Sequence, residues 1–401
     1  MSLLPVEEAM KRVLDGASPT ATQDVPLLDA HNRVLAQDVT AMLTQPPFNA
    51  SVMDGYAVSA DDLANLPTSL RVAGESQAGC GFAGTVEQGA AVRIFTGAPL
   101  PIRTDTVVIQ ENTDRQGDTV VIREAPRPGA NVRAMGGDFR KGQTLLSAGR
   151  PVDARAITLA ASAGHAGLSV RVRPRVAILA TGDELVEPGT TPGPDQIVAS
   201  NAYGLAALVE RAGGSPQLLG IAGDTREALD AKLQAASGAD VLVTIGGASV
   251  GDRDLVRPTL EARGMTLDFW KVAIRPGKPM LFGRMDATRV LGLPGNPVSC
   301  LVAARVFLVP LIQRLLGRTD SPLQETIAVL THDLQANGPR QHYMRAKRAS
   351  DATSPPRVSV LSSQDSAHLT GLIAANVLIV RAPNAPALTA GSEVSVLSLD
   401  F

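Results

Sequence analysis

The sequence predicts a multidomain α/β protein with a doubly wound parallel sheet at its centre. Strand-like and helix-like segments alternate between residues 175 and 317, and such alternation is typical of a parallel sheet with right-handed crossover helices. The flanking regions, residues 40–150 and those after 322, are predicted to form short strands separated by turns. The chain of 401 residues also calls for several domains, because single hydrophobic cores stop growing near ~250–300 residues.

Five short apolar segments are predicted to be strands of the central sheet. They are RVAILA (175–180), QLLGI (217–221), VLVTI (241–245), FWKVAI (269–274) and RVLGL (289–293). Helices are predicted from the Ser200-Asn201 cap to about Arg211, over 225–236 and over 298–316. Strands and helices in this order predict helices on both faces of the sheet.

The rest of the chain is predicted to form three smaller units. Apolar residues recur at helical spacing after Pro5, and a second helix is predicted over 154–163. We expect these two helices to form a helical linker unit (residues 1–45 and 140–172). A β-rich domain follows over 46–139 and includes a hairpin over 106–124. The central domain then spans 173–318, and residues 319–401 are predicted to be a small terminal β-barrel or sandwich.

Composition excludes several classes of protein. Lys and Arg total 37 against 39 Asp and Glu, and aromatic residues are only 3% of the chain, so a nucleic-acid partner is not expected. Two distant cysteines, Cys80 and Cys300, exclude a disulfide scaffold and a zinc site built on cysteine pairs. The first residues resemble no signal peptide, and no uncharged apolar run approaches the ~18–20 residues of a membrane span. We expect a cytoplasmic protein without a membrane partner.

Polar and glycine-rich segments follow the predicted strands of the central sheet. They are Thr181-Gly182-Asp183-Glu184, Gly223-Asp224, Gly246-Gly247-Ala248-Ser249 with Asp252 and Asp254, Arg275-Pro276-Gly277-Lys278-Pro279, and Leu293-Pro294-Gly295-Asn296-Pro297-Val298-Ser299. Open parallel sheets bind ligands at the carboxyl ends of their strands. A single such loop is most often an ordinary turn or helix cap, but five at one edge predict a binding site.

Two kinds of chemistry meet in these loops. Glycine backbone amides together with Arg275 and Lys278 suit phosphate groups. The carboxylates suit a hard cation such as Mg²⁺; they are Glu184, Asp224, Asp252 and Asp254. This combination predicts a substrate that carries phosphate or pyrophosphate.

The segment GASVG (247–251) leaves a serine hydrolase as an alternative. A G-x-S-x-G sequence after a strand is the pattern of a nucleophile elbow. The charged Asp252-Arg253-Asp254 that follows is unlike the buried helix of such elbows, and the later histidines lie in the terminal β region. Ser249 as a nucleophile is therefore a minor alternative.

Motifs along nearly the whole chain resemble the MoeA family of molybdopterin molybdenumtransferases and the E domain of gephyrin. In the central domain these motifs are TGDEL, GGASVGDRD, FWKVAIRPGKP and GLPGNPVS. In the first half they are FNASVMDGYAV (48–58), RIFTGAPLP (93–101), DTVVIQE (105–111) and NVRAMGGD (131–138). About eight motifs in one order make this resemblance specific.

The resemblance implies a fold, an assembly and a reaction. It implies a molybdopterin-binding-like central domain, a β-rich lid, a linker unit and a C-terminal β-barrel, in an elongated homodimer whose sites are shared between subunits. The implied reaction inserts molybdate into adenylylated molybdopterin with Mg²⁺ and releases AMP and molybdenum cofactor. The upstream molybdopterin adenylyltransferase and downstream molybdoenzymes are implied partners. A pterin-binding scaffold without turnover is the non-enzyme alternative.

The resemblance also implies roles for individual residues. Catalytic roles are expected for Asp54, Thr96, Glu184, Asp224 and Asp254, the last three as ligands of Mg²⁺. The resemblance implies substrate binding at Asp138, Lys271, Lys278, Pro294, Pro297, Arg345 and Ser366, and the strand-end loops add Gly246, Gly247, Ser249 and Arg275 to the expected substrate-binding residues. Arg275 stands where the family often has lysine, which keeps the charge but changes the geometry of its donors. Asp54 and Thr96 are expected to act across the dimer.

Overall fold

A computed structural model describes residues 3–247, 255–320, 323–349 and 354–399. The sequence predictions for Ser249, Asp252 and Asp254 lie outside these residues. The described residues form one small linking region, one β-rich sheet, a central α/β unit and a C-terminal barrel. The multidomain α/β class predicted from the sequence is confirmed, while the exact domain boundaries stay a prediction.

The first segment contains one α-helix, two short strands and a 3-10 helix over Leu27–Ala30. The α-helix is α1 (Val6–Leu14), and the strands are β1 (Thr22–Pro26) and β2 (Val39–Thr40). Helix α1 buries Val6, Ala9 and Val13, which belong to the main hydrophobic cluster of the central unit. Residues recurring every three to four positions place these side chains on one face of the helix.

A six-stranded sheet forms most of the β-rich region. Its elements and their short neighbours are β3 (Ala50–Ser51), β4 (Gly55–Val58), β5 (Thr68–Ser76), β6 (Ala90–Ile94), β7 (Thr106–Ile109), β8 (Thr113–Gln116), β9 (Thr119–Ile122) and β10 (Val132–Arg133). The strand order is β7-β4-β6-β5-β9-β8. The predicted hairpin over 106–124 is only partly right, because β8 and β9 pair with each other whereas β7 pairs with β4.

The chain then returns to the linking region through β11 (Thr144–Leu146), α2 (Ala154–Ser162) and β12 (Gly167–Arg171). Strand β12 pairs with β1, and β11 pairs with β2. Helix α2 begins at Asp153, whose carboxylate accepts a hydrogen bond from the Ala156 N–H. Helix α2 packs on these strands, whereas the buried side chains of α1 join the cluster of the central unit. The assignment of both helices to one linker unit stays a prediction.

The central unit alternates strands and helices as predicted. Its elements are β13 (Arg175–Thr181), β14 (Leu185–Val186), β15 (Ile197–Val198), α3 (Asn201–Ala212), β16 (Ser215–Ala222), α4 (Arg226–Gln234), β17 (Val241–Ile245), α5 (Val256–Ala262), β18 (Thr266–Trp270), β19 (Ile274–Arg275), β20 (Leu281–Met285), β21 (Thr288–Leu293), α6 (Pro297–Ala303) and, after a π-helical turn (Ala304–Leu308), α7 (Val309–Leu315). The sheet order is β16-β13-β17-β21-β20-β18.

Five strands of this sheet run in one direction and β20 runs against them. Strands β16, β13, β17 and β21 are mutually parallel. Strand β20 is antiparallel to both β21 and β18, which makes β18 parallel to the other four. The predicted fourth strand, 269–274, is displaced: β18 ends at Trp270, and Ile274–Arg275 pairs outside this sheet.

Both faces of the sheet are covered by apolar side chains. Along β13, Val176 and Ile178 join the cluster formed with α1, α3 and the long helix 297–315. The alternate residues Ala177 and Leu179 join the cluster formed with α4 and α5. Because neighbouring side chains of a strand point to opposite faces, a continuous apolar run such as this one indicates a doubly covered strand.

The helix over residues 297–315 is the core helix of this unit. Its length of 19 residues and mean hydropathy of 1.7 would suffice for a membrane span by composition alone. However, 83% of its apolar window is buried inside the protein, against the sheet and α3. The apolar composition is therefore explained by packing within the fold.

The C-terminal segment closes into a five-stranded barrel. Its elements are β22 (Glu325–Leu330), β23 (Gln341–Arg348), β24 (Arg357–Val360), α8 (Leu369–Ala374), β25 (Val377–Arg381) and β26 (Glu393–Ser398). Pairing runs β23-β24-β22-β26-β25 and returns from β25 to β23, which decides between the predicted barrel and sandwich. Strand β19 adds to β23 from outside, so the barrel holds the loop that leaves the central sheet.

Candidate functional site

The carboxyl ends of the central strands open on a cavity of about 550 Å³. Loops that follow β13, β17 and β21 supply its walls, together with the start of α3 and the β14–β15 pair. Of the residues given individual roles from the sequence, Glu184, Gly246, Pro294 and Pro297 line it. The predicted strand-end loops also contribute Thr181, Pro279, Gly295 and Asn296. This is the edge of an open α/β sheet at which ligands bind.

The loop after β13 holds Glu184 against the end of the strand. Gly182 has a φ of +143°, and a Cβ atom at this position would lie 2.2 Å from Glu184 Oε2. Only glycine leaves room for the carboxylate to fold back over its own loop. The backbone of Glu184 accepts a hydrogen bond from the Ile197 N–H, which ties the loop to β15.

The loop after β16 places Asp224 beside the loop after β13, which carries Asp183 and Glu184. The carboxylate of Asp183 accepts a hydrogen bond of 2.9 Å from the Asp224 backbone N–H. Asp224 itself is exposed, and no side-chain hydrogen bond of Asp224 occurs in the described part of the chain. Its carboxylate is therefore available to a ligand.

After β17 the chain turns sharply at Gly246 and Gly247, whose φ angles are +87° and +60°. A Cβ atom on Gly247 would lie 2.1 Å from Val256 Cγ2, at the start of α5. The second glycine is thus required by close packing, as well as by its backbone conformation. The continuation of this loop lies outside the described residues.

Three cationic side chains lie on the segment between β18 and β20. Lys271 follows directly after β18, and its Nζ lies 4.2 Å from the centroid of the Trp270 ring, a cation–π contact. Arg275 and Lys278 are exposed. None of the three forms a salt bridge with a residue that the structure describes. Their charge is therefore not neutralised within this part of the fold, which suits an anionic ligand.

The barrel contributes a loop that packs on the start of the long helix. Ser366 accepts a hydrogen bond of 3.0 Å on its carbonyl oxygen from the Val298 N–H, and another of 3.0 Å on its hydroxyl from Asn296 Nδ2. The next residue, Ala367, lines the cavity. Ser366 thus lies beside the cavity, where its hydroxyl contacts the loop after β21.

The buried side chain of Arg345 supports the barrel loop that carries Ser366. Its side chain is only 1% exposed, and its guanidinium donates hydrogen bonds of 2.8–3.2 Å to the carbonyl oxygens of Ser363, Asp365 and His368. The Arg345 backbone N–H donates to the Gln364 side chain, which donates back to the Arg345 carbonyl. With its donors engaged by the loop, Arg345 acts here as a positioning residue for Ser366.

Two of the predicted residues of the β-rich region, Asp54 and Thr96, form a pair. Asp54 Oδ1 accepts hydrogen bonds of 2.8 Å from both the backbone N–H and the hydroxyl of Thr96. These two donors hold the pKa of the Asp54 carboxyl below its usual value. Asp138 is exposed, and its backbone N–H donates to the Gln45 carbonyl. Asp54, Thr96 and Asp138 do not line the 550 Å³ cavity of their own chain.

Several polar cavity residues were given no individual role from the sequence, although Asn296 belongs to one of the predicted strand-end loops. Ser200 was expected to cap α3, but its side chain makes no capping hydrogen bond and instead lines the cavity. Asn201 Nδ2 donates a 2.7 Å hydrogen bond to the Gly295 carbonyl, and Asn296 contacts Ser366. The available signal in the sequence was a polar residue shortly after a strand. However, the partner of Asn201 lies 94 positions away and that of Asn296 lies 70 positions away.

The carboxylates that the structure describes form no ready-made metal cluster. Within residues 3–247, 255–320, 323–349 and 354–399, no group of three or more His, Cys, Asp or Glu side chains could hold a metal ion. The predicted third ligand, Asp254, is outside these ranges. Glu184 and the free carboxylate of Asp224 fit Mg²⁺, which is commonly bound by one or two protein carboxylates and completed by substrate phosphates.

Three family models match the chain in succession. They are described as the MoeA N-terminal region (domain I and II), over residues 4–164, a probable molybdopterin binding domain, over residues 177–314, and the MoeA C-terminal region (domain IV), over residues 328–399. Together they extend over most of the chain and in the order expected of a single multidomain protein.

Individual relatives agree with these matches. A molybdopterin molybdenumtransferase of Haemophilus influenzae is 34% identical over 398 residues, 98% of both chains. One of Nostoc is 37% identical over 94% of this chain and 89% of its own length. A solved structure of a molybdopterin biosynthesis MoeA protein from Pyrococcus horikoshii superposes with a TM-score of 0.86, at 30% identity and full coverage of both chains. On these matches, the chain belongs to the MoeA family.

Proposed function

We propose that this protein is a molybdopterin molybdenumtransferase of molybdenum cofactor biosynthesis. The substrate would be adenylylated molybdopterin, into whose dithiolene the enzyme inserts molybdate while AMP is released. The observation that carries the proposal is the match to named molybdenumtransferases along 94–98% of the chain. A strand-end cavity with carboxylates and uncompensated cations nearby supplies suitable chemistry for this substrate.

Cationic side chains and backbone amides would bind the anionic parts of the substrates. Arg275 and Lys278 would contact the pyrophosphate of the adenylylated pterin, together with the amides of Gly246 and Gly247. Molybdate is also an oxyanion and needs cationic or amide donors, so we place it near Lys271 and Arg275. Pro294, Pro297 and the Ser366 loop would shape the wall that the substrate contacts.

The carboxylates would bind magnesium and manage protons. Glu184 and Asp224, with Asp254, would hold Mg²⁺, which as a Lewis acid polarises a bound pyrophosphate. Asp224 is exposed and Glu184 lines the cavity, so either carboxylate can accept or return a proton when molybdate oxygen leaves as water.

The Asp54–Thr96 pair would complete the site of a second subunit in a homodimer. Support comes from its position outside the cavity of its own chain, together with its uncommitted second carboxylate oxygen. Asp138 would act from the same subunit as that pair. A cytoplasmic location, an upstream adenylyltransferase and downstream molybdoenzymes as partners belong to the same proposal.

AMP release tests this function. Purified protein is incubated with adenylylated molybdopterin and Mg²⁺, with and without molybdate, beside Asp224→Ala and the control Asp118→Ala, an exposed aspartate in the turn between β8 and β9 of the β-rich sheet. We expect molybdate-dependent release that only Asp224→Ala loses. Pterin binding without release would instead indicate a scaffold, and reaction of Ser249 with a fluorophosphonate would indicate a hydrolase.

A further inference from the structure

Arg93 lies beside the segments that carry the Asp54–Thr96 pair. Asp54 directly precedes β4, Arg93 belongs to β6, and Thr96 follows the end of β6. Strands β4 and β6 are antiparallel neighbours, in which Arg93 lies opposite Tyr56. On the other side of β4 lies β7, whose end pairs with Gly55. The ends of three adjacent strands therefore meet near Arg93.

The guanidinium of Arg93 donates hydrogen bonds to the segments on either side of Asp54. Its Nη1 donates to the Gly55 carbonyl at 3.2 Å, and its Nη2 donates to Gln110 Oε1 at 2.8 Å. The Gln110 backbone N–H in turn donates to the Asp54 carbonyl at 3.1 Å. Gly55 follows Asp54 directly, so both bonds of the guanidinium act on the turn that carries Asp54. Because Arg93 shares a segment with Thr96, it links the two members of the pair.

Two aromatic rings fix the direction of this guanidinium. Its Cζ lies 5.3 Å from the centroid of the Tyr56 ring and 4.8 Å from that of the Phe95 ring, distances at which cation–π attraction operates. An arginine stacked in this way presents its donors as a rigid planar fork, whereas lysine is a point charge on a flexible stem. Lysine could therefore keep the charge of Arg93 but could not direct two donors to the same two acceptors.

The geometry of the pair depends on where this turn is held. Asp54 Oδ1 accepts both Thr96 donors at 2.8 Å. Hydrogen bonds weaken steeply with a change in angle, so a displacement of the turn would weaken both bonds together. On the β7 side the fit is close, because a Cβ atom on Gly55 would lie 1.9 Å from the Val108 carbonyl oxygen. The remaining side of the turn is the one that Arg93 contacts.

The charge of Arg93 also acts on Asp54. Among the residues that the structure describes, Arg93 forms no salt bridge. The pKa of the Asp54 carboxyl is lowered first by the Thr96 backbone N–H and the Thr96 hydroxyl, and to a smaller degree by the charge of Arg93. The hydrogen bonds and the charge therefore favour the same ionised carboxylate.

We propose that Arg93 is the positioning residue of the Asp54–Thr96 pair: its stacked guanidinium holds the turn before β4 where a single Asp54 oxygen accepts both Thr96 donors. The second oxygen of the carboxylate is thereby presented in a fixed direction. The catalytic consequence of this arrangement rests on the proposed function. The arrangement itself does not, because the contacts and the titration of Asp54 can be measured without substrate.

NMR of the full-length protein labelled at threonine nitrogen and aspartate carboxyl carbon tests this role. Arg93→Lys keeps the charge but loses the directed fork, and Arg71→Lys is the matched control on the neighbouring strand β5, where the guanidinium pairs with Glu87. In wild type and Arg71→Lys, we expect the Thr96 amide signal to follow the ionisation of Asp54. In Arg93→Lys, this response should shrink and the pKa of Asp54 should rise, because the weakened hydrogen bonds stabilise the ionised form less.

AMP release measures the catalytic consequence. With adenylylated molybdopterin, Mg²⁺ and molybdate, we expect about a tenfold or greater fall in kcat in Arg93→Lys, because a small displacement of a reacting group is costly. We expect a smaller change in KM, and wild-type values in Arg71→Lys. Wild-type protein that releases no AMP would reject the proposed function, whereas the NMR comparison would still decide the role of Arg93.

An unchanged Thr96 response and an unchanged Asp54 pKa in Arg93→Lys would overturn the proposal, even if the variant were less stable, because they would indicate a purely structural arginine. A displaced Asp54 with unchanged kcat would confirm the positioning and reject a catalytic role for the pair. If Arg93→Lys does not fold, Gln110→Ala removes the Nη2 acceptor and should give the same changes to a smaller degree. An unchanged titration of Asp54 in that variant would equally reject the proposal.

Discussion

Asn296 Nδ2 donates a 3.0 Å hydrogen bond to the hydroxyl of Ser366, and this contact joins the central unit to the C-terminal barrel. Asn296 ends the loop after β21, and Ser366 lies on the barrel loop that Arg345 holds. The wall of the strand-end cavity is therefore assembled from two parts of the chain 70 residues apart. Its shape depends on how these parts dock.

The variant Ser366→Ala removes one side-chain partner of this contact. We expect a loss of about 1 kcal/mol in the free energy of unfolding, because a typical hydrogen bond contributes that much net. We also expect a higher KM for the pterin substrate with a smaller change in kcat. Denaturant titration and steady-state kinetics measure these effects. Ser237→Ala removes a hydroxyl from an exposed position after α4 and is the control; equal effects in both variants would contradict a specific role for the Asn296 contact.

Replacement of Arg345 by lysine tests the support of the barrel loop. Lysine keeps the charge but cannot direct donors to three separate carbonyl oxygens, as the buried guanidinium does. We expect a loss of roughly 2–4 kcal/mol in the free energy of unfolding, because buried acceptors lose charged partners. Arg115→Lys on the exposed hairpin, where the guanidinium contacts one carbonyl, should change stability little. A fully stable Arg345→Lys protein would contradict the positioning role.

The Asp54 carboxyl should titrate at a lower pH than an ordinary aspartate. Its pKa is lowered by the Thr96 backbone N–H first and the Thr96 hydroxyl second. A depressed folded-state pKa stabilises the fold above the unfolded-state pKa, and this contribution is lost as pH falls through the folded-state value. Carbon NMR of the Asp54 carboxyl should show its pKa rise in Thr96→Val and stay unchanged in Thr104→Val. An unchanged pKa in Thr96→Val would exclude the hydroxyl as a cause.

His342 should make the protein less stable in mild acid. Burial, followed by the charges of Arg275, Arg340 and Arg345, lowers the pKa of this histidine from 6.5 to about 4. Between these values the unfolded chain binds more protons, so stability falls as pH falls from 6.5 toward 4. Denaturant titration at the two ends of this range should show a smaller pH effect in His342→Gln than in wild type. His332→Gln, on the exposed side of the barrel, should keep the full effect.

Local patterns in the sequence predicted most elements of the central unit, because an apolar strand and an amphipathic helix each leave a periodic signal. The direction of β20 and the pairing of β19 with the barrel were not predicted. Both depend on contacts between residues far apart in sequence. The packing of α1 on the central unit was missed for the same reason, since its periodicity shows which face is buried but not what covers it.

The candidate site was predictable where it depends on single loops. Glycines and acids directly after strands identified Glu184, Asp224 and Gly246, because the carboxyl ends of parallel strands share one edge. The roles of Asn201 and Asn296 were not predicted, since each depends on a partner brought close by the complete fold. Arg345 was expected to bind substrate, whereas the structure shows its guanidinium engaged by the loop that carries Ser366.

Reconstitution of a molybdenum-free apo-molybdoenzyme tests the central claim most directly. The protein would be given adenylylated molybdopterin, Mg²⁺ and molybdate, and the activity recovered by the apo-enzyme would be measured beside Asp224→Ala and the control Asp118→Ala. The proposed function predicts molybdate-dependent recovery with wild type and Asp118→Ala, and little recovery with Asp224→Ala. Equal recovery with and without the protein, or full recovery with Asp224→Ala, would contradict the proposed function or the proposed site.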